Sequence, residues 1–280
     1  MCEKHGVTVE RTLGGSRSVC LLGVDRHSRP LVVKISPYRA EITEEAAALT
    51  HWARSGVVPL VLDTNTERGV LVLERIISGT PVGFPDEPGP GVSPAAVGRT
   101  LAALHTVSDV PPVLIRADAA LEHRQVLLQR RLDTDPYWLS FRTLIEWAYD
   151  AATTLHRSAL TAHPTLIHGD FQPKNLLIGG DAAVYAIDPI ASLGDPCFDA
   201  VLWAVTDLAA GRIEDALATI APVAGLPFHR CLEWAVLISI FEHRPTRRPR
   251  LAARVAEFID ARVDAITDTA AAEAWINRPR

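Results

Sequence analysis

The chain contains 280 residues, 48% of them hydrophobic, and this length suits one large domain or two smaller ones. A formal net charge of −5 argues against a general nucleic-acid-binding protein. The first residues lack the apolar core of a signal peptide, and no stretch approaches the roughly 18 apolar residues of a membrane span. Four cysteines without metal-site spacing favour reduced thiols, so we expect a cytoplasmic protein with neither a membrane nor a nucleic-acid partner.

The N-terminal part of the chain predicts a small lobe rich in β-strands. Short apolar runs bounded by turn residues are typical of an antiparallel sheet, and they occur at residues 7–13, 19–22, 31–35, 60–62 and 70–73. A helix from about Ile42 to Arg54 interrupts them. We assign residues 1–77 to this lobe and residues 78–92, which are rich in Pro and Gly, to a hinge and linker.

Helices are predicted to dominate residues 93–280. Ser93 and Pro94 open one of them as the N-cap and the first helical residue. Apolar residues at helical spacing predict further helices at residues 138–159, 196–208, 231–241 and 251–266. The expected fold class is therefore α+β, with a small β-sheet lobe, a larger helical lobe and a ligand-binding cleft between the two.

Residues 166–178 carry the most informative pattern, because Asp170 stands five positions before Asn175. A second apolar run, residues 184–187, ends at Asp188. An Asp, an Asn five positions later and a second Asp across a hairpin are typical of the phosphate and metal site of phosphoryl-transfer enzymes. The alternative is a surface hairpin whose polar ends are simply solvated.

The hairpin geometry supports a metal site. Two short predicted strands, residues 176–178 and 184–187, flank the turn residues Gly179-Gly180-Asp181. Pairing that is symmetric about this turn sets Leu176 opposite Ile187 and Asn175 beside Asp188. Oxygen ligands that converge in this way suit a hard cation such as Mg²⁺.

Lys34 lies in the third predicted strand and needs an anionic partner if it is buried. Glu45 is the best candidate, because it shares one helical stripe with Ile42 and Leu49 and should face inward. The alternative is a lysine on an edge strand and a solvated glutamate.

Taken together, these patterns resemble the aminoglycoside phosphotransferase family, which has the protein-kinase-like fold, and within it the streptomycin and hydroxyurea resistance kinases. The resemblance spans roughly residues 7–210. The segments that carry it are residues 45–49, 71–75, 101–105, 166–178, 186–189 and 194–199.

The resemblance implies a role for each residue of the pattern. Asp170 would accept the proton of the attacking hydroxyl, and Asn175 and Asp188 would hold Mg²⁺ on the phosphates of ATP. Lys34 would contact the α- and β-phosphates while Glu45 holds it in place. ATP and Mg²⁺ are the expected cofactors.

Two weaker matches concern the nucleotide. The segment Gly14-Gly15-Ser16 occupies the place of the glycine-rich loop, where Ser16 would contact phosphate, although a two-glycine turn is mostly only a turn. Glu74 and Ile76 fall where the hinge of the family receives the base through backbone groups. Side chains there do not separate ATP from GTP.

Other residues near the pattern have structural interpretations. His168 and Asp199 are expected to brace the catalytic loop, and His105 to be a satisfied core histidine. Asp195 is an N-cap before Pro196.

Some basic residues have no assigned role at this level. Lys174 departs from the small residue usual in the family, and its side chain suits either a phosphate, an acceptor group or solvent. The arginines of residues 244–250 are interpreted as a solvated loop between helices, because a nucleic-acid site would need interleaved aromatic residues.

The predicted function is transfer of the γ-phosphate of ATP to a hydroxyl of a cationic antibiotic, by a monomer or weak dimer. The acceptor would be a streptomycin-like aminoglycoside or a viomycin- or capreomycin-like cyclic peptide, bound by acids such as Asp199, Asp207, Glu233 and Glu242. The alternatives are a metabolic kinase of the same fold, acting on choline, homoserine or a sugar amine, and a nucleotide-binding pseudokinase. A protein kinase is disfavoured, because the space between Asp188 and Asp199 is too short for an activation segment.

Overall fold

A computed structural model describes residues 2–15, 17–114, 119–134, 139, 141–162 and 164–278. Its N-terminal lobe is an antiparallel sheet of five strands in the order β1-β2-β3-β5-β4. The strands are β1 (Thr8–Gly14), β2 (Val19–Val24), β3 (Pro30–Ile35), β4 (Val61–Asn65) and β5 (Val70–Glu74). The short helix α1 (Cys2–His5) precedes them, and helix α2 (Arg39–Trp52) follows β3.

The apolar stripe of α2 anchors this lobe. Ile42, Leu49 and Trp52 are buried in one cluster with Leu71 and Leu73 of β5. The helix therefore covers one face of the sheet, as the spacing of its apolar residues predicts.

Two small sheets connect this lobe to the helices. Strands β6 (Ser78–Pro81), β8 (Leu176–Gly179) and β9 (Val184–Ala186) form one sheet, and β7 (Thr165–Ile167) pairs with β10 (Ser192–Gly194) in the other. The helices are α3 (Pro94–His105), α4 (Ala119–Thr134), α5 (Arg142–Ala162), α6 (Pro196–Thr206), α7 (Ile213–Ala224), α8 (Phe228–Glu242), α9 (Pro249–Asp260) and α10 (Thr269–Ile276).

The core of the helical lobe is built around α6 and α8. Both helices are apolar on nearly every face, as expected of helices in the centre of a domain. Their aromatic rings meet there, with Phe198 edge-on to Trp234 at a centroid distance of 5.3 Å. Among the described residues, no helix combines the length and apolar character needed to cross a lipid bilayer.

The predicted fold class is confirmed, since the five-stranded antiparallel sheet and the helical lobe are both present. Ser93 caps α3 as predicted, accepting a hydrogen bond from the backbone N–H of Ala96 at 3.2 Å. Four helices have no counterpart among the predicted elements, namely α1, α4, α7 and α10. Part of the predicted linker is the strand β6, which pairs with β8.

The predicted register of the hairpin is wrong by one residue. Leu176 pairs with Ala186 rather than with Ile187. The turn is tighter than the predicted register implies, because the N–H of Gly179 donates to the carbonyl of Ala183 and Ala182 takes a positive φ of 62°. Asp188 therefore lies beyond the paired part of the hairpin.

Candidate active site

The loop that carries Asp170 leaves β7 through a glycine that no other residue can replace without strain. Gly169 has a φ of 76°, and a Cβ atom there would stand 2.2 Å from the carbonyl oxygen of Ile190. Glycine reaches this left-handed region without steric cost. The backbone can thus turn between His168 and Asp170 and direct the carboxylate into the cleft.

A buried carboxylate braces this loop from below. Asp199 of α6 accepts hydrogen bonds from the backbone N–H of His168 at 2.7 Å and of Gly169 at 2.9 Å. The ring of His168 lies 3.0 Å from the carbonyl of Ile187 and stacks parallel to Trp52. The structural roles predicted for His168 and Asp199 are confirmed, and His105 also reaches Asp199, at 3.4 Å.

Asp195 has a different structural role from Asp199. It caps α6 by accepting a hydrogen bond from the N–H of Cys197 at 3.0 Å, as predicted. Its other oxygen accepts from the indole N–H of Trp234 at 2.6 Å and from Arg230. The carboxylate therefore ties α6 to α8 and does not contact the loop.

The Asp170 carboxylate is surrounded by donors. Lys174 Nζ lies 2.9 Å and Asn175 Nδ2 2.8 Å from its Oδ2, while the amide of Gln172 donates to Oδ1. Burial opposes the ionised form, but Lys174 and Arg124 outweigh burial and lower the pKa of Asp170 to about 2. The group is therefore a permanent anion at neutral pH, suited to orienting a hydroxyl.

Lys34 crosses from the sheet lobe to the hairpin of the helical lobe. Its Nζ lies 2.7 Å from Glu45 Oε2, which confirms the predicted ion pair, and it also donates to Asp188 Oδ1. Burial favours the neutral amine, but the two carboxylates outweigh it and raise the pKa of Lys34. A charged lysine thus stands where the two lobes meet.

The residues predicted to hold Mg²⁺ lie at one end of the hairpin. The side-chain amide nitrogen of Asn175 donates to Asp170 Oδ2, so the side-chain oxygen of Asn175 is the atom that could bind a cation. The backbone carbonyl of Asn175 accepts a hydrogen bond from the N–H of Ile187, next to Asp188. Asp188 has a positive φ of 57° and a side chain that is 54% exposed. One amide oxygen and one accessible carboxylate fit a cation that takes its remaining ligands from phosphate and water.

The other three residues predicted to contact the nucleotide are Ser16, Glu74 and Ile76. Ser16 lies outside the described residues. The Glu74 side chain accepts from the N–H of Leu60 at 3.3 Å, so its carboxylate is directed to β4. Ile76 follows the end of β5 and precedes β6, as a hinge residue would. Nucleotide contacts for all three stay predictions.

Asp170 also lines a cavity of about 530 Å³ that does not include Lys34, Asn175 or Asp188. Arginines are the most frequent residues of its lining. Arg124, Arg130 and Arg131 come from α4, and further arginines come from the segment after α8. Sequence reasoning missed this site, because α4 was not predicted. The solvated-loop interpretation is wrong for Arg244 and Arg248, which donate to the buried Glu242 at 2.9 Å and 3.1 Å.

None of the acids proposed to bind a cationic antibiotic is available in this cavity. Asp199 and Asp207 are buried, the first against the catalytic loop and the second against the N–H of Ala209. Glu233 lines a separate groove beside Trp147. Glu242 reaches the cavity, but three arginines neutralise it.

Solved structures with a similar fold come from several kinds of kinase. They include a choline/ethanolamine kinase family protein from Mesorhizobium loti, with a TM-score of 0.62 and 19% identity over 97% of this chain and 93% of that chain. The choline kinase LicA from Streptococcus pneumoniae follows at 0.60 and 14%, over 98% and 97%. The macrolide 2′-phosphotransferase MphH from Brachybacterium faecium has 0.57 and 18%, over 100% and 97%. At such identities the similarity shows the fold.

The sequence itself carries the family assignment. A search of curated proteins finds no match. The family model described as "Phosphotransferase enzyme family" matches residues 9–230, which include the Lys34–Glu45 pair, the Asp170 loop and the hairpin. The chain belongs to this phosphotransferase family, and it is a small-molecule phosphotransferase.

Proposed function

We propose that the protein transfers the γ-phosphoryl group of ATP to a hydroxyl of a small molecule bound beside Asp170. The observation that carries this proposal is one connected set of contacts. Lys34 bridges Glu45 and Asp188, while Asn175 joins the Asp170 carboxylate to the hairpin that ends at Asp188. Lys34 and Asp170 are thus linked through Asp188 and Asn175, which would bring a nucleotide-side cation and an acceptor-side carboxylate together, as phosphoryl transfer requires.

In the proposed reaction, Asp170 accepts a hydrogen bond from the acceptor hydroxyl and so aligns its oxygen with the γ-phosphorus. The bond between that oxygen and phosphorus forms as the bridging bond to the β-phosphate breaks, with its electron pair leaving on ADP. The hydroxyl proton passes to Asp170 and then to solvent. Because the pKa of Asp170 is about 2, orientation contributes more than proton abstraction.

Lys34 and Mg²⁺ would balance the negative charge of the nucleotide phosphates. Asn175 and Asp188 would hold the ion, which neutralises charge that develops on the phosphates. Lys34, kept protonated by Glu45 and Asp188, binds the same phosphates from the sheet lobe. Because Lys34, Asn175 and Asp188 do not line the arginine cavity, the proposed nucleotide site lies outside that cavity.

Different observations favour different classes of acceptor. The predicted cationic antibiotic is supported by the sequence resemblance, and the structural relatives include both a macrolide phosphotransferase and choline kinases. The arginines beside Asp170 count against a polycation, because like charges repel strongly in a partly buried site. The same repulsion would act on choline or a sugar amine, so the metabolic kinase alternative and antibiotic resistance both stay open.

The test is mass spectrometry of acceptor panels incubated with the protein, ATP and Mg²⁺. We expect a gain of one phosphate on one acceptor, lost in Asp170→Asn by about three orders of magnitude or more, since this change removes the orienting anion. The exposed Asp215→Asn is the matched control and should keep full activity. Loss of nucleotide binding in a folded Asp170→Asn protein would contradict the assignment of Asp170 to the acceptor side.

A further inference from the structure

The arginine cavity carries far more positive charge than its own acids balance. Seven cationic residues and two acids line it; the cations are Arg124, Arg130, Arg131, Lys174, Arg244, Arg247 and Arg248, and the acids are Asp170 and Glu242. Burial lowers the pKa of the one histidine in the lining, His123, so it is uncharged at neutral pH. An excess of this size in a concave site attracts an anion.

Both acids already form ion pairs within the protein. Glu242 Oε1 accepts from Arg124 at 2.9 Å, and its Oε2 accepts from Arg244 and Arg248. These arginines, with Arg131, outweigh burial and lower the pKa of Glu242 to about 2. Asp170 is matched by Lys174. Neither acid has charge left to balance the remaining arginines.

Arg130 and Arg247 are the unbalanced members of the lining. Across the part of the chain that the structure describes, neither side chain forms an ion pair, and both are exposed at the mouth of the cavity. They come from different elements, α4 and the segment after α8, and converge on one opening.

The crowding of charge is also visible on Arg131. Burial, together with the nearby Arg244 and Arg124, lowers the pKa of Arg131 to about 9, although Glu242 opposes the shift. A cation whose charged form is destabilised by its neighbours gains from a bound anion.

We propose that the acceptor alcohol carries an anionic group, a carboxylate or a phosphate, which Arg130 and Arg247 bind while the hydroxyl faces Asp170. Guanidinium groups form paired hydrogen bonds with both kinds of anion. The volume of about 530 Å³ accommodates a molecule that spans from the cavity mouth to Asp170. This inference rests on the proposed function, because it identifies the chemical class of the acceptor in that reaction.

Two other uses of the arginines fit less well. A purely structural role explains Arg124, Arg244 and Arg248, which bind Glu242, but not the two arginines without acid partners. A single-stranded nucleic acid would need aromatic platforms for its bases, and no Phe, Tyr or Trp of the described residues lines the cavity.

The experiment compares glucose with three derivatives that each differ from it in one group: glucosamine, glucuronate and glucose 6-phosphate. Calorimetric titration into the wild-type protein without nucleotide is expected to detect binding of glucuronate, glucose 6-phosphate or both, and weaker or undetectable binding of glucose and glucosamine. The sugar acid and the sugar phosphate distinguish the two anion types. Because calorimetry measures binding without turnover, the result remains informative even if the protein does not transfer phosphate to any tested acceptor.

Variants locate the binding. Arg130→Gln and Arg247→Gln should each weaken binding of the anionic sugar by about tenfold or more, the value of a charge-assisted hydrogen bond. Arg250→Gln removes the same charge from an exposed residue of α9 outside the cavity and should change little. Lys34→Gln should also leave binding unchanged, which separates this site from the nucleotide phosphate site.

Three results would overturn the inference. One is tighter binding of glucosamine than of both anionic sugars. Another is no detectable binding of either anionic sugar to the wild type. The third is anion binding that survives Arg130→Gln and Arg247→Gln but is lost in Lys34→Gln.

Discussion

The two sides of Asp170 differ in how their charges are balanced. On the side of the sheet lobe, one cation, Lys34, stands between two carboxylates, Glu45 and Asp188. On the side of α4, seven cations face two acids that are already paired. We propose that the first arrangement binds a metal ion with phosphates and that the second binds an anion.

The residues proposed for the nucleotide and those proposed for the acceptor also come from different elements of the fold. The nucleotide side uses a strand, a helix and a hairpin whose residues must meet one set of phosphates. The acceptor side uses α4, the segment after α8 and the loop of Asp170, and exposed positions of such elements accept substitution at little cost to the fold.

The largest expected effect concerns Glu242, on which the acceptor side depends. Glu242→Gln should lower the free energy of unfolding by about 3–5 kcal/mol, because it leaves three arginines without their buried counter-ion. Urea denaturation measures this. Glu233→Gln, an exposed acid of the same helix, should stay within about 0.5 kcal/mol of the wild type.

The same substitution should change how stability depends on pH. The folded-state pKa of Glu242 is lowered to about 2, so its contribution is complete above its ordinary value of 4.5 and is lost as the pH falls towards 2. The free energy of unfolding of Glu242→Gln should therefore fall less steeply over this range than that of the wild type. Equal slopes would show that Glu242 is not the stabilising anion.

A second prediction concerns the nucleotide side. Lys34→Met should reduce kcat/KM by about 100- to 1000-fold, since it removes a preorganised cation from the phosphates. Lys4→Met removes a lysine from the surface of the same lobe and should be close to neutral. Steady-state kinetics with an identified acceptor measure both. A Lys34→Met enzyme with unchanged kinetics would remove Lys34 from the site.

The smallest expected effect concerns Lys174, which stands between the two sides. Lys174→Met should raise the pKa of Asp170, because Lys174 is the strongest influence that lowers it against burial. The acidic limb of the profile of kcat/KM against pH should then move to higher pH, with little change at neutral pH. Lys174→Arg should keep the limb in place, and an unshifted limb in Lys174→Met would exclude this role.

Local patterns in the sequence were enough to predict most elements of the sheet lobe and the nucleotide side. The strands and α2 follow from apolar periodicity, which reflects burial of one face. The Lys34–Glu45 pair follows from an inward strand position and an inward helix position, and the spacing of Asp170, Asn175 and Asp188 follows from one hairpin. The one-residue error in its register arose because the turn is tighter than the predicted pairing implies: Gly179 already bonds to Ala183, which leaves residues 180–182 as the turn.

The fold class, the family and the candidate nucleotide-side residues could be predicted from the sequence, because each depends on contacts between residues close together in the chain or on a short motif. The charge of the acceptor side depended on tertiary structure. Arg124 and Glu242 are 118 positions apart, and only the packing of α4 beside the end of α8 makes them partners. A net charge of −5 over the whole chain conceals this local excess of arginine, since the field at a site depends on distance and burial rather than on composition.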